Sequence, residues 1–180
     1  MKKVILRTER LTLREYTPDD FDAVYAMISD PVTMSHYPRP YDERGAHRWI
    51  DWSIENYAET GLGWWAIELN DTGEFIGDCG ITPQNIDGEM LSELGYHIDK
   101  KYWRRGYGKE AARATLEYVF SNTDLETVYS YTTVGNVASI RLAESVGMKK
   151  IKEFDDGHYG KTVVFAVTKN EWTAINKENR

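Results

Sequence analysis

A single cysteine, Cys79, stands in a chain of 180 residues. No internal disulfide can form, which fits a reducing, cytoplasmic setting. Long apolar runs are missing too. None approaches the roughly 20 residues that cross a bilayer, and the mean hydropathy of -0.58 argues against membrane residence. The opening MKKVILR places two lysines before a short apolar run, but Arg7, Glu9 and Arg10 interrupt it, so no secretory leader is expected. Positive charge is scarce: 22 basic residues face 29 acidic ones, for a net charge of -7. Such a surface repels phosphate backbones and excludes a nucleic-acid reader, while it tolerates a cationic substrate such as an amine. Internal repeats, low-complexity tracts and Pro/Gly/Ser-rich linkers are all lacking, and the expectation is one domain over 1–180.

What is present reads as a mixed α/β chain. Residues 9–16 alternate Leu11 and Leu13 with polar neighbours, the period of a strand. Thr17-Pro18-Asp19-Asp20 opens a helix carrying Phe21, Val24, Tyr25 and Ile28. Prolines 31, 38 and 40 keep 30–41 irregular. A second helix over 42–57 is expected to bury Ala46, Trp49, Ile50 and Ile54. Strands follow at 64–69, 75–81 and 91–98, the first two joined by the turn Asn70-Asp71-Thr72-Gly73. The second half alternates: helix 109–120, strand 127–133, helix 136–146, and strands 148–153 and 161–168. A short helix near 171–175 ends the chain. Strands that run together and then alternate with helices predict a mixed sheet of six to seven strands flanked by helices.

The stretch from Ile98 to Ala111 carries the clearest chemistry. It joins a strand to a helix through Gly106 and Gly108, with Arg104, Arg105 and Lys109 around them. Glycine lets a backbone approach a ligand closely. The opening turn of a helix presents unpartnered N–H groups and the positive end of the dipole, which together suit an anion. The implied ligand is a pyrophosphate. The stretch is neither a Walker A loop nor the full dinucleotide fingerprint, since Ala111 stands where a third glycine would be.

Several segments, in order, resemble the GNAT superfamily of N-acetyltransferases. Tyr102-Trp103-Arg104-Arg105-Gly106-Tyr107-Gly108-Lys109-Glu110-Ala111 is similar to its acetyl-CoA-binding motif. Glu93 to Asp99 resembles the strand leading into that motif, and Asn136 to Met148 resembles the second CoA-side motif. Thr8 to Arg14 and the hairpin at Gly73 to Gly77 are similar to the branch that holds the ribosomal-protein N-terminal acetyltransferases. Two positions depart from the common pattern. Trp103 stands where Gln or Arg is frequent, and Ala143 stands where many members carry a catalytic tyrosine.

The resemblance implies a single-domain fold in which strand 91–98 splays from its neighbour to hold the arm of CoA. It also implies acetyl-CoA as cosubstrate, with no metal. Backbone groups at Tyr96 and Ile98 would hold the pantetheine arm. Arg104, Arg105, Gly106, Tyr107, Gly108 and Lys109 would hold the pyrophosphate, and Asn136 would touch the pantetheine side. Ser139, one turn beyond Asn136, is the general-acid candidate. Glu93 is the general-base candidate through water; His97, on the same strand face, is the other. The acceptor side would be formed by the 32–41 stretch and the strand at 64–69, with His36, Tyr37, Tyr41, Trp65 and His97 lining it. The acceptor is a protein N-terminal amine or a small amine such as a polyamine or aminoglycoside, the chain acting as monomer or homodimer. A non-catalytic acyl-CoA-binding module is the alternative from another class.

Overall fold

In the computed structural model, which describes residues 2–178, one eight-stranded sheet organises the chain. Its strands are β1 (Val4–Arg7), β2 (Leu11–Arg14), β3 (Trp64–Leu69), β4 (Phe75–Ile86), β5 (Glu89–Ile98), β6 (Thr127–Thr133), β7 (Lys149–Asp156) and β8 (Gly160–Thr168), in the spatial order β1-β2-β3-β4-β5-β6-β8-β7. All neighbours run antiparallel except β5 and β6. The helices are α1 (Phe21–Ile28), α2 (Glu43–Thr60), α3 (Tyr107–Asn122), α4 (Val137–Ser145) and α5 (Lys169–Glu178). The α/β class agrees with the expectation, but eight strands replace the six to seven expected. The extra one is β1, a short edge strand whose run Val4-Ile5-Leu6-Arg7 has no alternation to betray it.

Two apolar clusters sit on opposite faces of the sheet. One packs α3 and α5 against residues such as Leu11, Leu13, Trp65, Ile67, Leu94 and Leu116. The other packs α1, α2 and the 31–41 stretch through Val24, Ile28, Met34, Trp49, Ile50 and Trp64. Helix α2 starts where Asp42 accepts a hydrogen bond from the Gly45 N–H at 2.8 Å, and it stops at Gly61 in a left-handed conformation. Its buried stripe is Ala46, Trp49, Ile50 and Ser53, at helical spacing; Ile54 is only partly covered.

Strand β2 departs from the alternation read in the sequence, because all four of its residues are buried. Arg14 is 2% exposed. It stays charged there because its guanidinium forks onto Asp20 at 2.7 and 2.8 Å and also reaches Glu68. Burial works against ionisation of Asp20, but Arg14 and the Thr17 N–H outweigh it and hold its pKa down at about 2.

The break in the sheet positions the site. Strands β4 and β5 stay paired along ten residues each, from Gly77↔Ile98 to Ile86↔Glu89, around a two-residue turn at Asp87-Gly88 with positive φ at both. By contrast, the register of β5 with β6 among the described residues is one pair, Glu93↔Tyr129. Past that rung the strands part.

Candidate active site

A cavity of about 820 Å³ opens where β5 and β6 separate. At one end lie the 103–109 turn and the start of α4. At the other lie the 33–41 stretch, Trp49, Trp64 and Tyr159. Glu93 lines the cavity as well.

The end at the 103–109 turn is set by backbone conformation. Arg104 takes a left-handed φ of 62°, and Gly106, also left-handed, caps α3 without a side-chain acceptor. The first N–H groups of α3, at Tyr107, Gly108 and Lys109, are therefore left for a ligand. Gly108 has a packing reason of its own: a Cβ there would fall 2.8 Å from Leu142 on α4. Arg104 and Lys109 line the cavity, whereas Arg105 does not. Its guanidinium lies over the Tyr102 ring at 5.6 Å.

Arg10, which the sequence reading passed over, braces this turn from the β1–β2 hairpin. Its side chain donates to Glu110 at 2.7 Å and to the Arg105 carbonyl at 3.0 Å, and it lies 4.6 Å over the Tyr107 ring. Thr8 adds a 2.6 Å hydrogen bond to Glu110. The Thr8-Glu9-Arg10 motif thus fixes the start of α3.

Along the gap, Tyr96 reaches across to α4. Its hydroxyl lies 3.0 Å from Ser139 Oγ and 3.0 Å from the Ser139 carbonyl. Asn136 lines the cavity and caps α4 by accepting from the Ser139 N–H at 3.1 Å. Ile98 also lines it, with its carbonyl already taken by the Trp103 indole at 2.6 Å.

Glu93, Gly95 and His97 share one face of β5. Glu93 is 6% exposed, and no hydrogen bond reaches its carboxyl among the described residues. Burial, and then the negative charge of Asp78, push its pKa up to about 8. Trp64 Nε1 is buried without a partner and points at the same glycine.

The other end of the cavity is aromatic. His36, Tyr37, Tyr41 and His97 line the cavity as expected from the sequence. Trp65 does not: it is fully buried on the opposite face against Tyr118, and its neighbour Trp64 takes the cavity position. Strand period makes the two tryptophans point to opposite faces, and Trp-Trp-Ala-Ile holds no polar residue to tell which is which. Trp49, Tyr131 and Tyr159 are further lining residues not singled out in the sequence.

Asp78 was likewise missed. It stands directly opposite His97 in the β4–β5 register, and its Oδ1 lies 2.7 Å from His97 Nδ1. The other ring nitrogen, Nε2, is 2.6 Å from the Tyr37 hydroxyl. The one advance signal was an acid inside the otherwise uncharged run Phe75-Ile76-Gly77-Asp78-Cys79-Gly80-Ile81.

Comparison with known proteins agrees with this geometry. Residues 10–149 match a family model described as an acetyltransferase (GNAT) domain. The Bacillus subtilis protein YkkB is 36% identical over 162 residues, 89% of each chain. The FsC-acetyl coenzyme A-N(2)-transacetylase of Aspergillus fumigatus is 26% identical, covering 96% of this chain and 79% of its own. Among solved structures, an acetyltransferase from Agrobacterium tumefaciens superposes with a TM-score of 0.79 at 30% identity, over 90% of this chain and 92% of that one.

Proposed function

The chain belongs to the GNAT family of acetyltransferases, and we propose that it moves the acetyl group of acetyl-CoA onto the α-amine of a protein N-terminus by direct attack on the thioester. The observation that carries this reading is the continuity of the cavity. It joins an uncapped helix start, flanked by Arg104 and Lys109, to a buried carboxyl and an aromatic pocket. A pyrophosphate at one end and an amine at the other would meet beside Glu93. The similar Aspergillus fumigatus protein is an acetyl coenzyme A transacetylase, in keeping with that donor. On this reading residues 1–180 act as one acetyltransferase domain.

The residues divide the work as follows. Amides of Tyr107, Gly108 and Lys109, with Arg104, hold the diphosphate. The edge of β5 left free by β6, near Tyr96, lies along the pantetheine arm. Glu93, in the ionised form it takes above about pH 8, receives a proton from the incoming ammonium. Ser139, beside the Tyr96 hydroxyl, returns a proton to the departing thiolate.

The choice of amine follows from proton affinities. Glu93, at about 8, matches a terminal α-ammonium, whose pKa is also about 8, so the transfer is nearly level. A lysine or polyamine ammonium, at about 10.4, would cost about 3 kcal/mol more. The test is thiol release from acetyl-CoA with alanine- and serine-initiated peptides, spermidine and an aminoglycoside, alongside calorimetry with acetyl-CoA. Turnover with the peptides is expected. Turnover confined to spermidine or the aminoglycoside would reassign the acceptor, and no heat with acetyl-CoA would remove the reading altogether.

A further inference from the structure

Acetylation of an ammonium strips two protons from nitrogen, one before attack and one as the amide forms. Glu93 accounts for one. The structure holds a second, separate set of groups for the other, and this inference rests on the acetyl-transfer reading above.

Asp78 is fully buried, and it receives three donors: Tyr16 Oη at 2.8 Å, Trp49 Nε1 at 2.9 Å and His97 Nδ1 at 2.7 Å. Tyr16 O–H and Trp49 N–H both give their hydrogens to Oδ2, and an ionised carboxylate accepts on Oδ1 as well. His97 Nδ1 therefore carries the imidazole hydrogen, and Nε2 presents a lone pair. The Tyr37 hydroxyl, 2.6 Å away, must donate to it. Its own lone pairs are then free for a donor in the cavity, which both Tyr37 and His97 line. The chain of atoms is held on every side. His97 meets the edges of Trp49 at 4.8 Å and Trp64 at 5.3 Å, and Tyr37 meets Tyr41 at 5.9 Å and Tyr159 at 6.0 Å. The titratable groups bonded to His97 are Asp78 and Tyr37; the tryptophans facing it carry no charge.

We propose that Tyr37, His97 and Asp78 form a proton relay that accepts the second proton of the amine. As the C–N bond forms, the nitrogen gives a proton to Tyr37 Oη while the original phenol proton passes to His97 Nε2. The imidazolium is stabilised by Asp78, the C–S bond breaks, and the thiolate takes the proton that Ser139 supplies; solvent then reprotonates Ser139 and takes the protons from His97 and Glu93. Tyr37 touches the substrate; His97 and Asp78 act through it. A carboxylate that fixes the tautomer of an imidazole and steadies its cation is a recurring device on unrelated folds. Burial pushes the Tyr37 phenol well above its ordinary value, so it passes a proton along rather than holding a negative charge.

The test compares Tyr37→Phe, His97→Ala and Glu93→Gln with the parent, using whichever amine in the panel turns over fastest. Tyr37→Phe and His97→Ala are expected to lose about 100-fold in kcat or more, with acetyl-CoA binding by calorimetry unchanged. Raising the pH above the pKa of the amine is expected to recover Glu93→Gln, because the amine then arrives neutral, and to leave the other two low. Added imidazole is expected to restore His97→Ala. Nitrogen NMR of the parent, without any substrate, is expected to show His97 protonated at Nδ1 and bare at Nε2. The relay is overturned if Tyr37→Phe keeps parental kcat, if folded His97→Ala ignores imidazole, or if NMR finds the opposite tautomer. A parent that binds acetyl-CoA but acetylates no amine overturns the acetyl-transfer reading and the relay with it, whereas an active parent with unimpaired variants overturns the relay alone.

Discussion

Gly95 on β5 faces the Trp64 indole so closely that a Cβ on the glycine would lie 2.5 Å from Trp64 Nε1, and 3.0 Å from the Glu93 carboxyl. The missing side chain is what lets a buried indole N–H and a buried carboxyl look onto one space. Gly95→Ala should therefore push Trp64 out of its stack on Trp49, where the ring centroids are 4.2 Å apart. Overpacking of this kind costs about 1–3 kcal/mol. The expected outcome is a lower unfolding midpoint in denaturant together with a fall in kcat, while acetyl-CoA binding at the distant helix start persists. A variant as stable and as active as the parent would show that Trp64 has room to move.

Glu93 should set a pH dependence of stability with a defined sign. Its folded-state pKa, about 8, lies above the unfolded value of about 4.3. Below about pH 4 both states hold the proton, and Glu93 carries no penalty. As the pH rises from there to 8 the unfolded chain releases its proton and the folded one does not, so stability falls. Asp20 works in the opposite direction, its contribution being lost as the pH drops from about 4 towards its folded pKa of about 2. Glu93→Gln should thus leave the thermal midpoint nearly unchanged at about pH 4 and raise it by roughly ten degrees or more at pH 8.5. Equal midpoints for parent and variant at both pH values would contradict a buried, unpartnered carboxyl.

Much of this was legible in the sequence, and the failures have physical causes. Strands β3 and β6 were read to the residue because turns and charged neighbours bound them on both sides. The turn at 103–109 was legible as a candidate site because glycines and cations coincide at a strand-to-helix junction. Strand β4 was cut short at Ile81, since Pro83 argues against a strand interior. In the fold β3 begins only at Trp64, opposite Gly80, so the sheet edge beside Pro83 is free and no ladder donor is needed there. The Asp78–His97 pair was illegible because it depends on register. Nineteen positions separate the two residues, and only the β4–β5 pairing sets them face to face. The Trp64 and Trp65 assignment failed on parity, which a wholly apolar strand leaves unmarked. Tyr37 and Tyr41 were legible as lining residues because prolines force the 31–41 stretch out of regular structure and over the sheet edge.

Arg10 offers a way to loosen the donor end without touching the chemistry. Its guanidinium ties Glu110 and the Arg105 carbonyl to the β1–β2 hairpin, and Arg10 is not among the cavity-lining residues. With a side chain 43% exposed, the ion pair adds little to global stability, on the order of 1 kcal/mol or less. Its larger effect should be on the position of the first turn of α3. Arg10→Ala is expected to raise KM for acetyl-CoA several-fold and to leave kcat at saturating donor within about twofold, since uniform binding is lost and the reacting end is intact. A fall in kcat at unchanged KM would mean that the brace acts on the acceptor side instead.

Ser139 and Tyr96 together stand where Ala143 leaves no catalytic hydroxyl. The two side-chain oxygens are 3.0 Å apart, and the Tyr96 hydroxyl also bonds the Ser139 carbonyl, so the serine is held toward β5. Burial pushes the Tyr96 phenol up, which keeps it protonated and donating to the Ser139 carbonyl, so between the two hydroxyls Ser139 is the donor. If Ser139 gives its proton to the thiolate, Ser139→Ala should lose about 100-fold or more in kcat, the ordinary scale for a general acid. Tyr96→Phe should lose less, because the serine remains and only its orientation suffers. Both should bind acetyl-CoA as the parent does by calorimetry. Replacing the donor with an acetyl thioester of a more acidic thiol should narrow the gap between Ser139→Ala and the parent, since a better leaving group needs no proton. A gap that stays the same with both thioesters would assign Ser139 to capping α4 and leave the thiolate to be protonated by water.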